Sequence, residues 1–198
     1  SNKEDINEIQ NKTDHKNIDI IECKLDDSWM RDIAPIFYNE DEKLKSISFE
    51  FNGYGKYPDY LNDNKISKFI SNYLNIPTIT SDLVIEGGAI TYDDKKNLFS
   101  TKNVIFNKNR KQKHNSEYII KELKLLFDLN YIFLFENGLM EDDTDGHVDN
   151  LLCPIGENKY LIATTHKLDP NYEILEKNKA DLIKFFKDTN QTFDLIEV

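Results

Sequence analysis

The residues from Glu141 to Asn150, EDDTDGHVDN, place five carboxylates around His147. Carboxylates crowded this closely repel one another unless a cation binds among them or the site requires shifted pKa values. Histidine is the side chain that exchanges protons most readily near neutral pH. This segment therefore predicts a site where a cationic ligand binds and a proton is transferred.

The apolar residues that follow His147 predict how this segment is held. Val148 to Leu152 has the composition of a short buried strand. Alternate residues of a strand point to the same face, so His147 and Asp149 are expected to project together. A carboxylate and an imidazole would then face the same ligand.

Other interpretations of the acidic segment remain open at this stage. An acidic run is often a solvated turn. In a calcium loop that began at Glu141, the last position would be Leu152 where such loops carry Glu, which disfavours calcium. Zinc is disfavoured by the scattered histidines, which lack ligand spacing: His15, His114, His147 and His166. No metal site is predicted.

Two further polar segments, residues 26–35 and 84–89, are also flanked by apolar, strand-like residues. Asp32, Glu86 and His147 then occupy equivalent points in three successive units, each rich in strands and then helical, which predicts an internal repeat. Strands are predicted at 18–23, 33–38, 46–51, 76–79, 89–92, 98–101, 104–106, 131–135, 148–154, 160–164 and 192–198. Helices are predicted at 60–74, 116–127 with Ser116 as N-cap, and 171–186.

Together these segments resemble the agmatine deiminase family, guanidine-modifying amidinohydrolases of the pentein fold that are related to bacterial-type peptidylarginine deiminases. The resemblance runs from about Ile18 to the end of the chain. The matching stretches, in the family's order, are DDSWMRD, FNGYGKYPD, IEGGAI, NKNR and EDDTDGHVDN. The family usually has a Trp-Gly-Gly-like loop within the second stretch, so Tyr54 and Lys56 are departures. That loop, and Asn107 to Arg110, are also compatible with ordinary surface turns.

The resemblance implies an α/β fold, the pentein α/β-propeller, in which five ββαβ modules surround a central substrate site. This chain would supply about three of the five modules. We expect residues 1–198 to form a single pentein domain that is incomplete at both ends. Residues 1–16 are polar and are expected to be frayed or disordered.

The resemblance also implies catalytic roles for four residues. Asp32 and Asp149 would hold the substrate guanidinium, His147 would act as general acid and base, and Glu86 would support both substrate and imidazole. Carboxylates suit this task because they form paired hydrogen bonds with a planar guanidinium. No metal and no organic cofactor is implied.

Substrate contacts are implied for Trp29 and Asp143 as well. Asp143 would face the far amine of agmatine or a neighbouring water. Trp29, the only tryptophan, is by composition equally compatible with a core position. The expected substrate is a small cationic guanidinium compound, agmatine, hydrolysed to N-carbamoylputrescine and ammonia through a Cys-bound amidino intermediate. Free arginine or peptidyl-arginine is the alternative substrate.

The family's nucleophilic cysteine lies in a glycine-rich segment near its C-terminus, and this sequence contains no such segment. Cys153 matches a non-catalytic position in a predicted buried strand, and Cys23 is predicted to lie in the core. We therefore expect the nucleophile outside these 198 residues and no turnover by this chain alone. A fragment that only binds a guanidinium ligand is the other interpretation.

Composition limits the remaining partners. The formal net charge of −11 and a sequence pI near 4.8 disfavour nucleic acid and anionic membrane surfaces. No apolar run approaches the ~20 residues of a membrane span. Two cysteines predict no disulfide framework, so a reducing cytoplasm is the expected location. A homo-oligomer is compatible with the sequence.

Overall fold

The computed structural model describes residues 8–9, 12, 17–40 and 42–198. The predicted frayed or disordered segment, residues 1–16, therefore lies outside the described residues except at Glu8, Ile9 and Lys12. Within the described part of the chain, no helix is long and apolar enough to cross a membrane.

Nine strands in the described chain form three separate sheets of three strands each. The strands are β1 (Ile36–Glu40), β2 (Lys43–Glu50), β3 (Thr78–Val84), β4 (Thr91–Tyr92), β5 (Asn97–Thr101), β6 (Tyr131–Phe135), β7 (Leu152–Gly156), β8 (Lys159–Ile162) and β9 (Asp194–Glu197). The helices are α1 (Met30–Ile33), α2 (Ile66–Tyr73), α3 (Lys102–Ile105), α4 (Ser116–Leu126) and α5 (Tyr172–Asp188).

Each sheet repeats one connection pattern. The first two strands pair antiparallel as a hairpin, and the third strand pairs parallel with the second. A parallel third strand requires a crossover, and helices α2, α4 and α5 lie in the three crossovers. The predicted repeat of ββαβ modules is thereby confirmed, and three such modules follow one another along the chain.

The core is continuous across neighbouring modules because strand β5 is buried on both faces. Leu98 packs in a cluster with Ile47 and Leu83 of the first sheet, and the next residue, Phe99, packs in a cluster with Phe186 of α5. Successive side chains of a strand point to opposite faces, so this one short strand joins both clusters. A third, smaller cluster that includes Ile33 and Phe51 lies beside helix α1.

Several predicted elements are wrong at the level of local structure. Residues 18–23 form no strand, and Ile18 and Ile21 are exposed. Residues 104–106 were expected to extend as a strand, but they belong to the end of α3 and the turn after it. Thr101 caps that helix by accepting a hydrogen bond from the Val104 amide at 3.2 Å.

Two helix boundaries also differ from the prediction. Helix α4 is capped by Asn115, whose Oδ1 accepts from the Tyr118 amide at 2.9 Å, and not by Ser116. The predicted helix 60–74 is divided, because a 3-10 turn at Asp63–Lys65 precedes α2. The predicted strand at Val148 to Leu152 is wrong as well, since Val148–Asn150 is a 3-10 turn and β7 begins at Leu152.

Candidate active site

The three predicted site segments occupy the same structural position, just before the first strand of each sheet. Asp32 lies in α1, which precedes β1. Glu86 precedes the turn Gly87–Ala89 that leads to β4, and His147 precedes the turn that leads to β7. The repeat of the fold therefore brings these three side chains to one place.

The His147 imidazole lies between two carboxylates. Its Nδ1 is 3.6 Å from Asp32 Oδ1, and its Nε2 is 3.6 Å from Glu86 Oε2. Both distances exceed those of good hydrogen bonds. Among the described residues, His147 Nε2 and Glu86 Oε2 are buried atoms without a hydrogen-bond partner. A shift of well under 1 Å would let these two atoms share a proton.

Gly88 shows how closely the site side chains converge. A Cβ at this residue would lie 2.5 Å from His147 Nδ1 and 2.7 Å from both Asp149 Oδ2 and Asp32 Oδ1. Real Cβ atoms essentially never approach this closely, so a Cβ at this residue would push the ends of these side chains aside. The glycine lets the backbone approach all three groups at once.

Both oxygens of the Asp32 carboxylate accept hydrogen bonds. The Gly88 amide donates to Oδ1 at 2.9 Å, and the Tyr54 hydroxyl donates to Oδ2 at 2.8 Å. The Asp32 residue is buried, with 9% of its surface exposed. Burial, followed by the charge of Asp32, raises the pKa of Tyr54 above its usual value, so the hydroxyl remains a donor.

Asp149 is the most accessible carboxylate of the group, with 32% of its side chain exposed. The strand alternation predicted to align it with His147 is absent, and the 3-10 turn brings the two residues to the same cavity instead. Burial raises the pKa of Asp149 above its usual value, while the charges of His147 and Arg31 oppose this shift. Arg31 Nε lies 3.5 Å from Asp149 Oδ2.

Arg110 is a residue whose burial the sequence did not reveal, since a surface turn was an equally good interpretation of its segment. Its side chain is fully buried, and Nε donates to Glu86 Oε1 at 3.0 Å. The other guanidinium nitrogens donate to Asp145 Oδ2 and to the Thr144 carbonyl oxygen, each at 2.6 Å. Arg110 thus neutralises Glu86 and ties it to the acidic segment.

Part of the acidic segment, residues 141–150, forms hydrogen bonds within the segment itself. Asp142 accepts hydrogen bonds from the amides of Thr144, Gly146 and His147 at 2.9–3.0 Å. Burial alone would raise the pKa of Asp142, but hydrogen bonds from Thr144 and from the His147 amide hold it below its usual value. Lys56 donates to the Asp143 carbonyl oxygen at 2.8 Å. The solvated-turn interpretation is therefore wrong for Asp142.

A cavity of about 720 Å³ opens in front of these groups. The predicted residues Trp29, Asp32, Asp143, His147 and Asp149 all line it, together with Tyr54. Trp29 is 60% exposed, which excludes the core position that composition left open. Glu86 is fully buried and lies behind His147. In the described part of the chain, no group of three or more His, Cys, Asp or Glu is arranged to hold a metal ion.

The two cysteines lie elsewhere. Cys23 is partly buried and packs against the small cluster beside α1, in agreement with the predicted core position. Cys153 is exposed on β7, which corrects the buried strand position predicted for it. Neither cysteine is among the residues that line the cavity.

Comparison with known proteins identifies the family to which this chain belongs. The sequence model described as Porphyromonas-type peptidyl-arginine deiminase matches residues 1–198. The agmatine deiminase of Medicago truncatula is 33% identical over 174 residues, which are 80% of this chain and 46% of that protein. The chain spans about half the length of the curated relatives it matches.

Solved structures agree with the family match. Agmatine deiminase of C. jejuni with substrate bound superposes with a TM-score of 0.85 at 29% identity, covering 99% of this chain and 57% of that one. The Enterococcus faecalis agmatine deiminase has a TM-score of 0.89 at 20% identity, over 99% of this chain and 56% of that one, a likeness of fold. The predicted pentein α/β fold is confirmed. The chain belongs to the Porphyromonas-type peptidyl-arginine deiminase family, and it is similar in sequence and fold to agmatine deiminases.

Proposed function

We propose that this chain forms the guanidinium-binding and proton-transfer part of an enzyme that hydrolyses agmatine to N-carbamoylputrescine and ammonia. The observation that carries this proposal is the convergence of Asp32, Asp149 and buried His147 on one cavity, above the backbone of Gly88. The agmatine deiminases among the relatives supply the reaction type.

The anionic lining suits a guanidinium. Asp32 is held by hydrogen bonds at both oxygens and Asp149 remains accessible, so the two carboxylates can each face one edge of a planar cation. Charge-assisted hydrogen bonds of this kind are about twice as strong as neutral ones. Holding the cation also presents its central carbon to a nucleophile in a fixed orientation.

His147 is placed to move the protons that the reaction requires. A thiolate attacks the guanidinium carbon, and the C–N bond to the departing ammonia breaks once that nitrogen has gained a proton from the imidazole. A water molecule then loses one proton to His147 and attacks the amidino carbon. The C–S bond breaks, the thiolate leaves, and the remaining hydroxyl proton passes to solvent as N-carbamoylputrescine is released. Glu86, 3.6 Å from Nε2, stabilises the protonated imidazole.

The proposal places the nucleophile in sequence beyond these 198 residues, because neither Cys23 nor Cys153 lines the cavity. The chain on its own should therefore bind agmatine without hydrolysing it. Ammonia release from the purified chain that is lost in Cys153→Ser or Cys23→Ser would contradict this placement. The protein with its full reading frame should release ammonia and N-carbamoylputrescine in equal amounts.

Isothermal titration of the 198-residue chain with agmatine tests the binding step. We expect Asp149→Asn to lower the affinity for agmatine about tenfold or more, because a charge-assisted hydrogen bond to the guanidinium is lost. 1-Butylamine, which keeps the far amine but has neither a guanidinium nor a second amine, is the matched ligand and should respond much less to this change. Equal agmatine affinity of the variant and the unaltered chain would overturn the site assignment.

A further inference from the structure

The loop from Asn52 to Lys56 holds three left-handed residues in succession. Gly53, Tyr54 and Gly55 have φ values of 64°, 58° and 69°. Glycine adopts this conformation readily, but a tyrosine in it is strained. Only glycine fits at residue 55, because a Cβ there would overlap the carbonyl oxygen of Asn109. Tyr54 is one of eleven described non-glycine residues with a positive φ, so its contacts, and not the strain alone, decide its role.

The contact that the strained backbone provides is the bond from the Tyr54 hydroxyl to Asp32 Oδ2. The aromatic ring itself is buried and packed, edge-on against Phe51 at 5.2 Å between centroids and 5.8 Å below the Arg110 guanidinium carbon. Packing therefore fixes the ring, and the ring fixes the position of its hydroxyl.

Besides its two donors, Gly88 and Tyr54, the Asp32 carboxylate has a competing partner nearby, the His147 imidazole. His147 Nδ1 is 3.6 Å from Oδ1, close enough that a rotated carboxylate could bond to it. With Gly88 holding Oδ1 and Tyr54 holding Oδ2, the plane of the carboxylate is defined and remains directed toward the cavity. A carboxylate that has lost one of these donors is free to rotate toward the imidazole.

We propose that Tyr54 is a positioning residue for guanidinium binding, which acts by fixing the plane of the Asp32 carboxylate through its hydroxyl. This inference rests on the proposed function, in which Asp32 holds the guanidinium. It assigns to Tyr54 no contact with the reacting atoms.

Tyr54→Phe tests the inference because it removes only the hydroxyl and keeps the packed ring. Titration calorimetry of the 198-residue chain should show roughly tenfold weaker agmatine binding, the effect expected if only about a tenth of the chains keep the Asp32 carboxylate in the orientation that binds the guanidinium. 1-Butylamine keeps the far amine but has neither a guanidinium nor a second amine, so its affinity should stay within about twofold. A general disturbance of the cavity would weaken both ligands.

Tyr160→Phe is the matched control variant. The Tyr160 hydroxyl donates to Asp93 Oδ2 at 2.7 Å in another buried tyrosine–carboxylate pair, and neither residue lines the cavity. Both variants should lose similar thermal stability, and only Tyr54→Phe should lose agmatine affinity. Equal losses of affinity in the two variants would mean that Tyr54 acts through stability alone.

Asp32→Asn separates failure of this inference from failure of the proposed function. If Asp32→Asn abolishes agmatine binding and Tyr54→Phe leaves it unchanged or tighter, the positioning role is wrong and the guanidinium site stands. If Asp32→Asn has no effect, or the unaltered chain binds no agmatine, the proposed function fails and the inference fails with it.

Discussion

Arg110 donates a hydrogen bond from Nε to Glu86 Oε1 at 3.0 Å, with both side chains fully inaccessible to solvent. A buried carboxylate is stable only when a cation or several donors compensate its charge. The pairing leaves Glu86 Oε2 directed at the His147 imidazole. One buried ion pair thus holds a carboxylate oxygen beside the imidazole.

Removing Arg110 should destabilise the fold strongly, because Glu86 would keep a buried charge without its partner. We expect Arg110→Met to lower the free energy of unfolding by about 3–5 kcal/mol, measured by urea denaturation. Arg110→Met combined with Glu86→Gln should recover part of this loss, since no unpaired charge remains at that position. Lys68→Met, which removes a solvent-exposed partner of Glu50, should cost under about 1 kcal/mol.

If Arg110→Met proved as mild as Lys68→Met, the buried pair would not have the energetic role given to it here. A double-mutant cycle over Arg110 and Glu86 measures their coupling directly, and contacting residues in one network commonly couple by about 0.5–3 kcal/mol. Additive effects would contradict the pairing.

Gly88→Ala should abolish agmatine binding and lower the thermal stability of the chain only slightly. Its Cβ would displace the ends of the His147, Asp149 and Asp32 side chains, which are the groups that face the ligand. Titration calorimetry and thermal denaturation measure the two effects separately. Gly156→Ala is the control, because a Cβ there meets nothing within 4 Å although its φ of 83° adds strain. This control should lose stability by about 1 kcal/mol and keep its agmatine affinity, and full binding by Gly88→Ala would refute the close approach.

Ionisation of Asp149 should lower the thermal stability of the folded chain as the pH rises. Its folded-state pKa is raised by burial, so ionised Asp149 destabilises the folded chain above that pKa. The penalty disappears below the unfolded value of about 3.9. Asp149→Asn should therefore raise the midpoint of thermal unfolding at pH 7 and have no such effect near pH 3. A variant that is less stable at pH 7 would show that Arg31 and His147 outweigh burial.

Substrate choice should depend on Asp143, which lines the cavity and is exposed. Agmatine and arginine both carry a cationic amine at the far end, but arginine also carries an α-carboxylate, and that carboxylate would meet like charge. We expect the unaltered chain to bind agmatine more tightly than arginine. Asp143→Asn should lower the affinity for agmatine and so reduce the ratio of the two affinities. Asp188→Asn, at the end of α5 and away from the cavity lining, should leave the ratio unchanged. Comparable affinities for both compounds in the unaltered chain would overturn the agmatine assignment and leave the guanidine-hydrolase class intact.

The repeat, the family resemblance and five of the residues that line the cavity, namely Trp29, Asp32, Asp143, His147 and Asp149, could be predicted from the sequence. Asp32, Glu86 and His147 could be placed at equivalent points because a repeated ββαβ unit leaves a periodic trace in the order of apolar runs and turns. The long helices and the hairpins follow from the same local periodicity. These features depend on residues near one another in the chain.

The backbone conformation of Val148 to Leu152 and the contacts of Tyr54 and Arg110 depend on tertiary packing and could not be predicted from the sequence. The apolar run after His147 turns before it extends, since β7 pairs with β8 only from Leu152 onward. Tyr54 and Arg110 lie in segments that suited surface turns, yet they bond to Asp32 and Glu86, 22 and 24 residues away in sequence. Contacts between such distant residues arise from the packing of whole modules, and local propensity contains no information about them.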